Sequence, residues 1–117
     1  MAQEPALSKS PPLQVSHETF VPREIIYDLW TAVEHLRYWN PKLAEAALVN
    51  AKPPERLSYR VTGSAGQAAE LDVTLTDLAG TTRIDVTQSS TGHPDLPNSA
   101  DAWHDVFRAM ENYLSAI

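Results

Sequence analysis

The segment 13–41 constrains the fold more than any other part of the chain, because its hydrophobic period changes at a single proline. Polar and apolar residues alternate from Leu13 to Thr19, and this period of two predicts a strand with one buried face. Pro22 then ends the strand and pre-sets the first turn of a helix. The residues after it recur at three- and four-residue spacing, which predicts an amphipathic helix with the apolar stripe Ile25, Ile26, Leu29, Trp30 and Val33.

The sequence then predicts a second, shorter helix, in which the apolar spacing continues through Leu36 and Trp39. Asn40 and Pro41 close this helix, because the residue before a proline is pushed out of the helical region. Residues 42–47 fit either a loose helix or a loop.

The middle of the chain predicts strands, because apolar and polar residues alternate again and threonine is frequent. Pro53, Pro54 and Glu55 mark the turn of a hairpin. Arg83 and Asp85 share a strand face that we expect to meet solvent. The predicted strands are Ala47–Lys52, Arg56–Thr62, 70–78 and 82–89.

A long amphipathic helix is predicted at the end of the chain. Residues 90–97 read as a loop, and Asn98 or Ser99 can cap the helix that follows. The apolar stripe of this helix consists of Trp103, Val106, Phe107, Met110, Leu114 and Ile117. One strand, two short helices, about four strands and a long helix together predict an α+β domain, an antiparallel sheet with the long helix on one face.

Composition narrows the classes of function. The 117 residues suit one domain, and the lack of cysteine excludes disulfides and thiolate metal sites. A formal net charge of −6 and the absence of a basic run argue against nucleic-acid binding. Residues 1–12 hold three prolines and predict a disordered tail without signal-peptide character. No apolar run reaches the roughly 18 residues of a membrane span, so we expect a soluble, cytoplasmic protein.

Three segments carry a resemblance to a known family. They are VPREIIYDLWT with EHLRYWNP at 21–41, the hairpin AKPPERLSY at 51–59, and GTTRIDVTQS at 80–89 followed by Trp103 and the last helix. In their order and spacing they resemble the START-like (SRPBCC) superfamily, and within it the branch named for the activator of the heat-shock-protein-90 ATPase. The resemblance implies one helix-grip domain (Bet v1-like) over residues 13–117, with a ligand cavity between sheet and long helix.

One departure from the family pattern concerns the size of the sheet. The family usually places two further strands between the tryptophan-containing helix and the proline hairpin, and here only residues 42–48 fill that gap. Such a segment spans at most about 24 Å when extended, which is one strand and no hairpin. We therefore expect a sheet of about five strands and a cavity that is reduced, open or closed by a partner.

The aromatic residues are the candidates for lining that cavity, because ligand pockets are mostly apolar with a few placed polar groups. His17 joins them, since it lies on the apolar face of the first strand. The alternative is that these side chains belong to the core, since helical spacing alone accounts for several of them. The cavity-lining candidates are Trp30, Tyr38, Trp39, Tyr59, Trp103, Phe107 and His17, with Tyr27 as a further aromatic.

The polar residues predict no metal, cofactor or catalytic site. The four histidines have no metal-binding spacing, and His93 and His104 are expected to be solvated. If the protein were an enzyme of the cyclase or hydrolase type, His17 or Glu34 would be its acid or base.

Three functions remain open at this point. The leading hypothesis is a non-enzymatic START-like domain that binds a small hydrophobic ligand or a protein partner. The second is an interaction module, either a regulator of a chaperone ATPase in the stress response or a homodimer that pairs the edges left by the shortened sheet. The third is the cyclase- or hydrolase-like enzyme.

Overall fold

A five-stranded antiparallel sheet carries the helices in the computed structural model, which describes residues 12–63, 66–89, 93 and 96–116. The strands are β1 (Leu13–Thr19), β2 (Ala47–Lys52), β3 (Arg56–Thr62), β4 (Ala68–Asp77) and β5 (Thr82–Gln88). The helices are α1 (Arg23–Thr31), α2 (Val33–Trp39), α3 (Pro41–Ala44) and α4 (Ala100–Ala116). The predicted tail lies, except for Pro12, outside the described residues, as does Ile117.

The strand order in the sheet is β1-β5-β4-β3-β2, so β1 and β2 form its two edges. Val15 pairs with Val86, which pairs with Val73, which in turn pairs with Leu57. All four valine and leucine side chains are buried and face the helices. The predicted α+β architecture, with about five antiparallel strands, two short helices after the first strand and a long C-terminal helix, is confirmed.

Alternation along the strands separates a buried face from a solvated one. On β4, Ala69, Leu71, Val73 and Leu75 are buried, and the residues between them are exposed or half-buried. The outer face carries ion pairs such as Arg83 with Asp85 at 3.0 Å, as the shared solvent face predicted. Exposed pairs of this kind contribute at most about 1 kcal/mol each.

The first helices follow the sequence with one correction. The carbonyl of Pro22 accepts from the amides of Ile25 and Ile26, which confirms the proline as the start of α1. The predicted stripe is wrong at Ile25 and Val33, which are both 47% exposed. Ala32 adopts an extended conformation that ends α1, so Val33 begins a new helix with a different orientation.

Side-chain caps define the two remaining helix starts. The Asn40 side chain accepts from the amide of Leu43, and Pro41 occupies the first turn, so a third short helix follows where the sequence fitted either a helix or a loop. Ser99 Oγ accepts from the amide of Ala102 at 3.1 Å, which makes Ser99 the capping residue of α4. No helix within the described ranges is both long and apolar enough to cross a membrane.

Shortening Ile84 to alanine tests the assignment of the inner face. Ile84 is fully buried on β5, which pairs with both β1 and β4. Ile84→Ala should lower the free energy of unfolding by about 2–5 kcal/mol, because it removes buried methylenes and leaves a cavity. Thr74→Ala, at an exposed position of β4, should cost less than about 1 kcal/mol. Urea denaturation measures both losses, and equal losses would contradict the assignment.

Candidate functional site

Four aromatic rings meet between the sheet and α4 and form the aromatic cluster: Trp30, Trp39, Trp103 and Phe107. Trp30 lies in the middle. Its ring packs edge-to-face against Trp39, with the ring centroids 4.9 Å apart. It lies nearly parallel to the Trp103 ring, with the centroids 6.4 Å apart. Phe107 lies 6.4 Å from Trp30 and 5.9 Å from Trp103. The chain therefore brings together rings from α1, α2 and α4 that are far apart in the sequence.

The aromatic cluster fills the space that the family resemblance assigns to a ligand. Trp30, Trp103 and Phe107 are at most 1% exposed, and Trp39 is 6% exposed. Ring pairs at these separations stabilise a core by about 0.5–1.5 kcal/mol beyond their buried area. In this conformation the cluster is therefore a packed part of the core.

The polar atoms of these rings hold them in place, with one exception. Tyr59 Oη donates to the Trp30 carbonyl at 3.0 Å, and Trp39 Nε1 donates to the Leu29 carbonyl at 3.0 Å. Trp103 Nε1 donates to Gln88 Oε1 at 2.9 Å. Trp30 Nε1 is buried and has no hydrogen-bond partner among the described residues. A buried donor without an acceptor costs about 1–3 kcal/mol, which marks this atom as unusual.

Burial also changes the acidity of the tyrosines near the cluster. Desolvation, with a smaller contribution from Tyr27, raises the pKa of Tyr59 to about 12. Burial likewise raises the pKa of Tyr27, and the charge of Asp28 adds to the effect. Both phenols are therefore neutral across the physiological pH range, and neither is suited to act as a base.

His17 lies at the rim of the aromatic cluster. Its ring stacks on Phe107 at 4.7 Å with an interplanar angle of 9°. Its Nε2 lies 2.8 Å from Glu111 Oε2, and the two side chains are 25% and 38% exposed. Glu111 is a site residue that the sequence-based prediction missed. The available signal was that Glu111 follows Phe107 by four residues, which puts both on one side of the helix.

A second contact holds the other flank of α4. His35 Nδ1 lies 2.7 Å from Tyr113 Oη, and Tyr38 stacks on the Tyr113 ring at 5.9 Å. Tyr38 is 75% exposed, so it lies on the outer surface and not beside the aromatic cluster. The C-terminal half of α4 is thus held to β1 through Glu111 and to α2 through Tyr113.

Among the remaining polar candidates, His104 lies beside the aromatic cluster, with its ring 6.2 Å from that of Phe107. The prediction for His93 is wrong, because the ring is 4% exposed and its Nε2 lies 3.2 Å from the Gln67 carbonyl. Gln67 lies 26 positions earlier in the chain, so no local pattern encodes this contact. His104 and Glu34 are exposed. Within the part of the chain that the structure describes, no three metal-binding side chains come together.

Two surface clefts also lie away from the aromatic cluster. One, of about 140 Å³, lies between the loop after β1, at Phe20 and Pro22, and the turn between β4 and β5, at Gly80. The other, of about 120 Å³, lies at the hairpin between β2 and β3, beside Lys52 and Arg56.

Comparisons with solved structures identify the fold. CalU16 from Micromonospora echinospora has a TM-score of 0.70 at 12% identity, with 89% of this chain and 76% of that chain covered. MLL2253 from Mesorhizobium loti has a TM-score of 0.73 at 15% identity, with 90% and 97% covered. DynU16, described as a protein in the dynemicin biosynthetic locus, has a TM-score of 0.68 at 18% identity. The match covers 91% of this chain and 48% of DynU16, about half its length.

These similarities define the class of fold. The chain has the helix-grip fold, which it shares with these solved structures. No protein-family model matches the sequence, and no curated protein matches it. At these identities the likeness shows the fold alone. The assignment to the heat-shock-protein-90 ATPase activator branch, and the loss of two strands relative to it, stay predictions.

Replacing Tyr59 by phenylalanine tests the polar contacts around the aromatic cluster. At neutral pH, Tyr59→Phe should lower the free energy of unfolding by about 1 kcal/mol, since the Trp30 carbonyl loses its donor. The native protein should also lose stability as the pH rises from 10 to 12. The folded state holds the Tyr59 proton up to a pKa of about 12, against 10.0 for an ordinary tyrosine.

Tyr59→Phe should lack the Tyr59 part of this alkaline loss and keep the part that comes from Tyr27. Tyr38→Phe is the matched control, because Tyr38 is exposed, and it should change neither the neutral stability nor the alkaline decline. Thermal denaturation at pH values from 7 to 12 measures the effect. Identical pH profiles for the native protein and Tyr59→Phe would contradict the role of the buried phenol.

Proposed function

We propose that residues 13–117 form a START-like domain that binds a small apolar or aromatic molecule between the sheet and α4, without catalysing a reaction. The observation that carries the proposal is the buried indole N–H of Trp30, whose ring contacts three other rings and which has no acceptor in the described part of the chain. An oxygen atom of a ligand would supply that acceptor. The rings around it would supply apolar contact and stacking.

The neighbouring hydrogen bonds support the choice of Trp30 as the ligand's polar contact. The N–H groups of Trp39 and Trp103 already donate to Leu29 and Gln88. The Tyr59 hydroxyl already donates to the Trp30 carbonyl. These bonds fix the ring orientations, so the free Trp30 N–H is the donor that a bound molecule can use without breaking a contact.

Binding requires the rings to separate, because they fill the interior in this conformation. Moving α4 away from the sheet would separate them, because α4 carries both Trp103 and Phe107. Its flanking contacts, His17 with Glu111 and His35 with Tyr113, are only partly buried. The measured affinity is then the intrinsic affinity reduced by the fraction of molecules that are open.

The surroundings of His17 favour binding over catalysis. A histidine beside a carboxylate is a familiar general base. Here, however, the ring lies flat on Phe107, and its Nε2 is engaged by Glu111. A cyclase- or hydrolase-like reaction would need a substrate group at the other ring nitrogen. His17 fits better as a polar contact at the rim of the ligand site.

A structural neighbour gives indirect support for the kind of ligand that is proposed. DynU16 belongs to a biosynthetic locus, and a small organic molecule is the kind of ligand that such a setting supplies. A chaperone partner and a part in the stress response stay predictions of the family resemblance.

Two probes of nearly equal shape test the proposal: 2-acetylnaphthalene, which carries a carbonyl oxygen, and 2-ethylnaphthalene, which does not. Both should quench the tryptophan fluorescence and raise the melting temperature. The acetyl compound should bind about three- to tenfold tighter, because its oxygen accepts from Trp30 Nε1.

Trp30→Phe keeps a ring but removes the donor, so it should abolish the preference for the acetyl compound. Trp39→Phe is the matched control, since its N–H is already bonded to Leu29, and it should keep the preference. If neither probe changes the fluorescence or the melting temperature of the native protein, ligand binding at the aromatic cluster is wrong.

A further inference from the structure

Strand β2 is the most exposed element of the sheet. All six of its residues, ALVNAK, are exposed, and the strand lies at one edge. Leu48 is 44% exposed and Val49 is 47% exposed. An edge strand presents a row of backbone N–H and C=O groups that can pair with another strand. Exposed apolar side chains on such an edge favour association over solvation.

The protection of this edge is incomplete. The β2 sequence holds no proline and one charged residue, Lys52. The pairing of β2 with β3 shifts between Leu48 and Asn50, a bulge at Val49. Bulges and lysines at an edge discourage open-ended strand addition. They leave Leu48 and Val49 exposed to a partner nevertheless.

The opposite edge of the sheet, β1, is better protected. On the face of β1 that points toward the helices, His17 is hydrogen-bonded to Glu111. On the opposite face, Glu18 is exposed. The helix α4 packs against β1 as well. Inward-pointing polar groups and covering helices are the usual protection of an edge. A head-to-tail contact between β1 and β2 is therefore disfavoured, and pairing of β2 with itself is favoured.

We propose that two copies of the chain associate through β2, paired antiparallel about a two-fold axis near Val49. Each sheet would continue into the other, and Leu48 and Val49 of both copies would lie at the centre. The ends of the strands would be complementary in charge, because Lys52 of one copy would lie beside Glu45, which precedes β2, in the other. Both residues are exposed. Such an interface is closed, since each copy uses the same surface.

The dimer is expected to be reversible. One pair of six-residue strands buries less than the roughly 1,200–2,000 Å² of a stable specific interface. The free chain and the dimer should therefore exchange, and the dimer fraction should rise with protein concentration.

Sedimentation equilibrium of the full chain at several concentrations tests the proposal. The native protein should pass from monomer to dimer as its concentration rises. Val49→Lys should raise the dissociation constant by about tenfold or more, because it places two like charges at the two-fold axis. Phe20→Lys is the matched control, since Phe20 is 88% exposed and lies outside β2, and it should leave the dissociation constant unchanged.

A charge exchange tests the antiparallel arrangement. Glu45→Lys and Lys52→Glu should each weaken the dimer several-fold, because each places like charges together. The double variant Glu45→Lys with Lys52→Glu should restore it. A native protein that stays monomeric at all concentrations overturns the proposal. So does a dimer that Val49→Lys leaves intact, or a double variant that is no stronger than the single ones. Hydrogen exchange should show β2 amides that become protected as concentration rises.

Discussion

Trp30 is the residue on which the packing of this domain depends. Its ring contacts Trp39, Trp103 and Phe107, and its carbonyl accepts from Tyr59. One residue thereby joins α1 to α2, α4 and β3. A sheet and its covering helices each bury one apolar face, and a few large rings fill the space between them efficiently. The same dense packing means that a ligand can enter only if the rings move.

Ligand binding and self-association are proposed at two parts of the structure that few buried contacts hold in place. The C-terminal half of α4 is held by partly exposed contacts at Glu111 and Tyr113, and β2 is exposed along its whole length. Ligand binding would depend on the first, and self-association on the second. The remaining sheet is secured by buried rows such as Val15, Val86 and Val73. The elements that carry function in a protein are generally drawn from its less stable end.

Much of the fold was predictable because it rests on local patterns. The period of two in Leu13–Thr19 and the helical spacing of Trp103, Phe107 and Met110 each follow from which side chains share a face. Ser99 and Pro22 mark helix starts for equally local reasons. The prediction was wrong at Val33, because the extended conformation of Ala32 ends the stripe, and no proline or glycine announces that break. It was also wrong at Ile25, which is exposed in the first turn of α1.

The sequence by itself determined that the chain is an α+β domain with an antiparallel sheet of about five strands and a long C-terminal helix. Only the tertiary structure decided that Trp30 lacks an acceptor, that His17 meets Glu111, that Tyr38 points outward and that His93 is buried. The physical reason is how far apart along the chain the interacting residues are. Alternation and capping act between neighbours along the chain. Hydrogen-bond partners and exposure depend on residues that are dozens of positions apart and meet only when the chain is folded.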